Sequence, residues 1–332
     1  MKLVKTISIN VALLLLFTVN LRANEGCVTI HVDDEGGLPI AKAKANVQFT
    51  VGIPGGGLGN GKVVNVEGLT DTNGICVLTG NGDDAAVSAA VLKDGYYGAG
   101  GYRMEFTNSL LGRWQPWNPT IEVVLQKKGV QVPMYARRVD EIKIPVEGKP
   151  VGFDLEIGDW VAPYGKGGTA DLLFQLERMP EPEVPVREIQ PFDVTLTVSF
   201  SNDGDGIQSV FVPPQVHSGL RLPRQAPTEG YESVLVKHQY KERGQRAHIE
   251  FREDQNYFFR VRTKRDAQGN IVSALYGKIY GDFNQDDGGF VGRGKLAFTY
   301  YLNPEPNSLN MEFDPSRNLS KNLKSLEGVS VP

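Results

Sequence analysis

Residues 256–283, NYFFRVRTKRDAQGNIVSALYGKIYGDF, leave this chain few folds to choose from. Phe259 and Val261 alternate with Phe258, Arg260 and Arg262, and Leu275 and Ile279 alternate with Ala274, Tyr276, Lys278 and Tyr280. Period-two alternation on both sides of a segment holding Asp266, Gly269 and Asn270 predicts a β-hairpin with arms over 257–263 and 271–280. Arg and Lys interleaved with aromatics on one face predict that further chain covers that face. Residues 192–200 (FDVTLTVSF) alternate as cleanly, with Phe192, Val194, Leu196, Val198 and Phe200 directed inward. No amphipathic stretch of three helical turns occurs, so the expected class is all-β.

A chain of 332 residues has room for two domains, each with its own core. The 38 Gly and 20 Pro are aperiodic, and with 40% apolar residues they fit short strands with punctuated turns rather than disorder. A net charge of −4, without blocks of like charge, gives no field that would select nucleic acid.

The first residues read as an export signal. Lys2 and Lys5 precede an apolar run over 11–21 that is short for a membrane span, and Leu21-Arg22-Ala23 offers a cleavage site before Asn24. An uncleaved anchor is the alternative. No other run approaches transmembrane length, so the expected mature protein is exported, to the periplasm or the cell surface. In an oxidising compartment Cys27 and Cys76 are a candidate disulfide, closing a loop of about fifty residues for on the order of 4 kcal/mol. The other reading makes them two small buried hydrophobes that never meet.

From residue 24 to about 129, short strands alternate with turn signals, which predicts a β-sandwich. Gly37-Leu38-Pro39, the T-D-x-N-G run from Thr70 to Gly74, the K-D-G-Y run from Lys93 to Tyr96 and a closing apolar strand follow one another. In this order they resemble the carboxypeptidase regulatory-like family. That resemblance implies a transthyretin-like sandwich serving as a spacer, folding aid or binding module, with no active site to carry over. The Gly-rich insertion over 53–61 and the loop over 108–118 depart from the family pattern. Residues 130–332 then predict a second, larger antiparallel sandwich or jelly-roll-like domain. Its irregular tail is strapped on by Met311 and Phe313. Stretches around FDLEIGDWVAPYGKG, YFFRVRT, LYGKIYGDF and YYLNPEPN resemble exported bacterial proteins of unassigned function, which attaches no activity.

Familiar hydrolytic motifs are missing: there is no G-x-S-x-G elbow and no H-E-x-x-H helix. The residues Asp282, Asn284 and Asp286 alternate along one turn as calcium ligands do, although tight turns demand the same residue types. The turn with Asp203 and Asp205 is a weaker copy. Trp114 and Trp117 on one loop, with Trp160 beside Asp159, are the candidates for sugar binding; rings of this kind also pin loops to a core. Asp154, Glu156 and Asp159 read as surface charge rather than as a glycosidase pair. The expected function is a non-catalytic structural or adhesive protein of the cell envelope, binding an envelope protein or polysaccharide through its second domain. The alternatives are a carbohydrate-binding module using the loop tryptophans and a hydrolase of unfamiliar type.

Overall fold

The computed structural model describes residues 23–52, 61–178, 191–213, 217–285 and 294–332. Residues 1–22 of the leader expected over 1–23, most of the Gly-rich insertion and the proline-punctuated stretch over 179–190 lie outside them. What is described is nearly all β, with a single 3-10 turn at Pro315–Arg317.

Residues 24–125 supply nine strands: β1 (Asn24–Asp34), β2 (Lys44–Gly52), β3 (Gly61–Leu69), β4 (Ile75–Gly82), β5 (Ala86–Leu92), β6 (Ala99–Glu105), β7 (Asn108–Leu110), β8 (Arg113–Gln115) and β9 (Thr120–Leu125). One sheet runs β4-β1-β8-β7 with β9 also on β1, and the other runs β3-β2-β5-β6. Strand alternation aims Val28, Ile30 and Val32 of β1 at Ala45, Val47 and Phe49 of β2, and the two sheets close over one core. The turn before β4 follows from its sequence. Asp71 accepts the amides of Asn73 and Ile75, and Gly74 sits at φ 75°, where an added Cβ would meet the Val32 carbonyl at 2.4 Å.

The expected bridge between Cys27 and Cys76 is not formed; both are free and buried. Register explains it. Cys76 pairs with Ile30, three residues along β1 from Cys27, so the thiols lie on opposite faces of the sheet and about 10 Å apart along it. No disulfide spans that. Cys76 joins the core, whereas Cys27 Sγ faces Asn118 Oδ1 at 3.3 Å.

The rest of the chain supplies β10 (Tyr135–Lys143), β11 (Val151–Asp154), β12 (Asp159–Trp160), β13 (Leu172–Arg178), β14 (Phe192–Ser199), β15 (Gly206–Phe211), β16 (Val234–Lys241), β17 (Gln255–Arg265), β18 (Ile271–Ile279), β19 (Asn284–Gln285) and β20 (Lys295–Asn303). The sheet β12-β11-β13-β14-β16 packs on the sheet β10-β20-β18-β17-β15. Phe153, Phe174 and Leu196 of the first meet Phe259, Phe298 and Tyr300 of the second. The hairpin expected over 257–280 is β17 and β18, with Phe259 paired to Gly277. A Cβ at Gly277 would lie 2.1 Å from the Phe259 ring, so that pairing requires glycine.

The second face of this hairpin is also buried. Phe258, Lys278, Tyr301 and Ala136 form one row across four strands, each paired with the next. The tail and residues 220–226 cover that face through Leu222, Ala226, Met311 and Phe313. The covering chain inferred from the Arg, Lys and aromatic pattern is therefore this tail and loop.

Candidate functional site

Of the three acids expected as surface charge, Asp154 is buried, whereas Glu156 and Asp159 are partly exposed. Asp154 is only 3% exposed. It ends β11, and its two oxygens accept the amides of Glu156, Ile157, Gly168 and Thr169. Burial opposes its ionisation, but these four amides outweigh burial and hold the carboxyl below its ordinary value. Asp154 is thus the organiser of the Gly-rich loop over 158–170. Asp159 assists by accepting the amides of Trp160 and Lys166.

Arg262 reaches this loop from the opposite sheet. It lies in the bulge of β17 between Val261 and Lys264, at φ 56°. Asp205 holds the bulge by accepting the amides of Arg262 and Thr263. The side chain then donates to both oxygens of Asp171 at 2.8 and 3.0 Å, to Glu156 at 2.5 Å, and lies 3.6 Å from Asp154. Burial pushes the Asp171 carboxyl up against the pull of Arg262. The guanidinium bonds Asp171 and Glu156 and sits beside Asp154, so one side chain gathers three acids and joins the two sheets.

A second buried pair joins Lys237 of β16 to Asp282. Tyr257 donates to Asp282 Oδ1 at 2.6 Å, and the amides of Phe283 and Arg252 donate at 2.9 and 3.0 Å. The expected calcium turn of Asp282, Asn284 and Asp286 is described only in part. Asp282 points into the sandwich and is filled by four donors, Asn284 belongs to β19, and Asp286 lies outside the described residues. Asp205 is likewise spent on the β17 bulge. Among the described residues no group of three or more His, Cys, Asp or Glu is placed to hold a metal.

Two of the three candidate tryptophans are core residues. Trp114, 8% exposed, donates its indole N–H to the Gly82 carbonyl and stacks on Phe106. Trp160, 4% exposed, donates to the Lys143 carbonyl and meets Phe153 and Phe174 edge-on. Each ring pairs its polar handle internally, which is the condition for burying an indole. Trp117 is 39% exposed, with the Arg113 guanidinium 4.8 Å from its ring. The three rings do not form one binding face.

The histidines are committed to acids or to a carbonyl: His31 to Glu122, His217 to Gly100, His238 to Asp193 and His248 to Glu250. None of these contacts joins an imidazole to a hydroxyl or thiol nucleophile. His238, Tyr240 and His248 stack in series, with Val234, Val236, Ile249 and Phe251 exposed nearby in sequence. A polar groove of about 560 Å³ lies between β10 and the tail, where Arg137, Lys166, Lys321 and Lys324 mix with Asp140 and Glu327.

The two parts of the chain meet through Glu312, which sequence reading missed. It accepts from Tyr97 at 2.6 Å, from the Gly129 amide at 2.8 Å and from Arg224 at 2.8 Å, and Arg224 also reaches Glu35. Burial works against its charge, but these donors prevail and keep the carboxyl below its ordinary value. Residues 217–219 extend the edge of β6 through Gly100 N–H to His217 O and Gly219 N–H to Gly98 O, and the His217 ring lies tilted against Tyr102, 4.1 Å between centres. In sequence Glu312 announces itself only by alternating with Met311 and Phe313.

No family model matches the chain, and no curated protein matches it. Among solved structures it is similar to 3-chlorocatechol 1,2-dioxygenase of Rhodococcus opacus 1CP, at TM-score 0.24 and 12% identity over 32% of this chain. The match spans 61% of the dioxygenase. It is also similar to two variants of the shaft pilin SpaA of Lactobacillus rhamnosus GG, at TM-scores 0.21 and 0.20 and 10% identity, over 56% of this chain and 90% of the pilin. No helix among the described residues is long and apolar enough to cross a membrane.

Proposed function

We propose that this chain is a non-catalytic structural or adhesive protein exported to the cell envelope, with a first domain over 24–129 of the carboxypeptidase regulatory-like kind and a second over 130–332. The observation that carries the reading is the commitment of the buried charges. Asp154, Asp171, Asp282 and Glu312 each hold loops, sheets or domains together, and a catalytic acid would need an oxygen free for substrate. The partner surface on the second domain is the outer face of β16, where Val234, Val236 and Tyr240 are exposed on one side of the strand. The carbohydrate-binding reading now rests on Trp117 alone.

Expression of the full chain in a bacterial host, with fractionation and N-terminal sequencing, tests export. A mature protein beginning at Asn24 outside the cytoplasm is expected, and an intact leader in the cytoplasm would overturn the reading. Binding to an envelope polysaccharide panel separates the two functions. A flat panel is expected, whereas a specific hit lost in Trp117→Ala would make the carbohydrate module the better account.

A further inference from the structure

We propose that Lys237 and Asp282 become joined by an amide bond between their side chains, formed by the folded protein itself, which staples one sheet of the second sandwich to the other. Lys237 points inward from β16, and Asp282 faces it from the end of β18 on the opposing sheet. Their side chains are 6% and 0% exposed and in direct hydrogen-bond contact. Other lysine–carboxylate pairs among the described residues, Lys44–Glu67, Lys295–Glu141 and Lys324–Glu327, are solvent-exposed on at least one side. There water keeps the ions apart and charged. Arg262 in its acid cluster cannot react in this way, because a guanidinium does not give up its proton. Lys278, the other buried lysine, contacts the Met311 carbonyl and no carboxylate.

The surroundings of Asp282 suit the reaction. A buried ion pair forfeits the hydration that stabilises its charges in water, so a neutral amide suits this site better than two ions. Held contact between amine and carboxyl replaces a bimolecular encounter with an effective concentration that can reach about 10⁵ M or more. Oδ1 receives the Tyr257 hydroxyl and the Phe283 amide, two fixed donors aimed at the oxygen that gains charge as nitrogen attacks Cγ. Burial and the neighbouring Asp282 keep the Tyr257 phenol protonated, and hence a donor throughout.

The step balances without any further reactant. The Lys237 ammonium brings three protons and the carboxylate brings two oxygens. The Nζ–Cγ bond forms and the Cγ–Oδ2 bond breaks. Oδ2 departs as water with two of the three protons, the third remains on the amide nitrogen, and Oδ1 stays in place as the amide carbonyl under Tyr257 and Phe283. Two buried charges are replaced by one neutral amide.

Mass spectrometry of the purified full chain decides the matter. The unfolded wild type is expected to be one water lighter than its own sequence from the same N-terminus. A protease digest is expected to yield one branched species containing both Lys237 and Asp282, with no tryptic cleavage after Lys237. Lys237→Arg should restore the sequence mass. Should that variant fail to fold, the wild-type digest is sufficient by itself. Separate linear peptides bearing Lys237 and Asp282, in full yield, would overturn the proposal. So would a missing water located within one linear peptide, as a cyclic imide at an aspartate would leave it.

Discussion

The hydroxyl of Tyr97 donates to Glu312 Oε2 at 2.6 Å across 215 residues of sequence, so the loop after β5 and the C-terminal tail meet at one carboxylate. The same carboxylate takes Arg224 and the Gly129 amide. Three segments that lie far apart in the chain are therefore set by a single charged group.

Replacing Glu312 should loosen all of them together. Removing one member of a buried pair costs about 3–5 kcal/mol, but Arg224 is partly open to solvent and retains Glu35, so about 2 kcal/mol is expected for Glu312→Ala. The effect should depend on pH. The Glu312 carboxyl is held below its ordinary value of 4.5, so its contribution is complete above that value and is lost as pH falls through the lower, folded value. Urea unfolding from pH 7 down to pH 3 should show Glu312→Gln losing less stability on acidification than the wild type. Equal acid slopes would remove Glu312 from its role.

Arg262 is the corresponding element inside the second sandwich. Arg262→Met leaves Asp171 and Asp154 buried without their cation, for which about 3–5 kcal/mol is expected in denaturant unfolding. The double variant Arg262→Met with Asp171→Asn should recover part of that loss, because it removes the stranded charge. Additive losses in the two variants would contradict the direct pairing.

What could be read from the sequence was the part written in neighbouring residues. The alternation of Phe259 and Val261 with Phe258 defines β17 locally, and the expected arms over 257–263 and 271–280 emerge as Gln255–Arg265 and Ile271–Ile279. Met311 and Phe313 were legible as a strap because two apolar residues in a polar tail have little else to do. Pairings at long range were not legible. Asp154 looks like surface charge until Arg262 is placed against it, and Asp171 meets that arginine across 91 residues. Lys237 gave a faint signal: in VLVKHQYK it shares the inward face with Leu235 and Gln239, a position where lysine requires a partner. Trp114 was hidden because β8 is three residues long, too short for alternation to show which way its ring points.

The placement of Trp114 and the cysteines makes a paired prediction for the first sandwich. Trp114→Ala removes a buried ring and its hydrogen bond to Gly82, so a loss of about 3–5 kcal/mol is expected. Trp117→Ala, which removes a half-exposed ring, should cost less than about 1 kcal/mol. Thiol counting on the unfolded protein should find two free cysteines, and a reductant should leave the melting temperature unchanged. A reductant-sensitive transition would mean that β1 and β4 pair in a different register from the one described.

Lys278 gives the molecule a second pH response, of the same sense, on the alkaline side. It is fully buried under the tail, donating to the Met311 carbonyl with its ammonium 4.7 Å from the Tyr301 ring centre. Burial pulls it down from 10.5 to about 7, and the charge of Glu312 only partly offsets that. Between those values the unfolded chain binds the proton that the folded chain has released, so stability should rise with pH across the window and level off below about 7. At about 1.4 kcal/mol per pH unit, the wild type should gain roughly 2–3 kcal/mol between pH 7 and pH 9 in urea unfolding. Lys278→Met removes the titrating group while keeping most of its buried volume, and its stability should stay flat over the same interval. If the variant rises as steeply as the wild type, the ammonium beneath the tail is not what the tail senses.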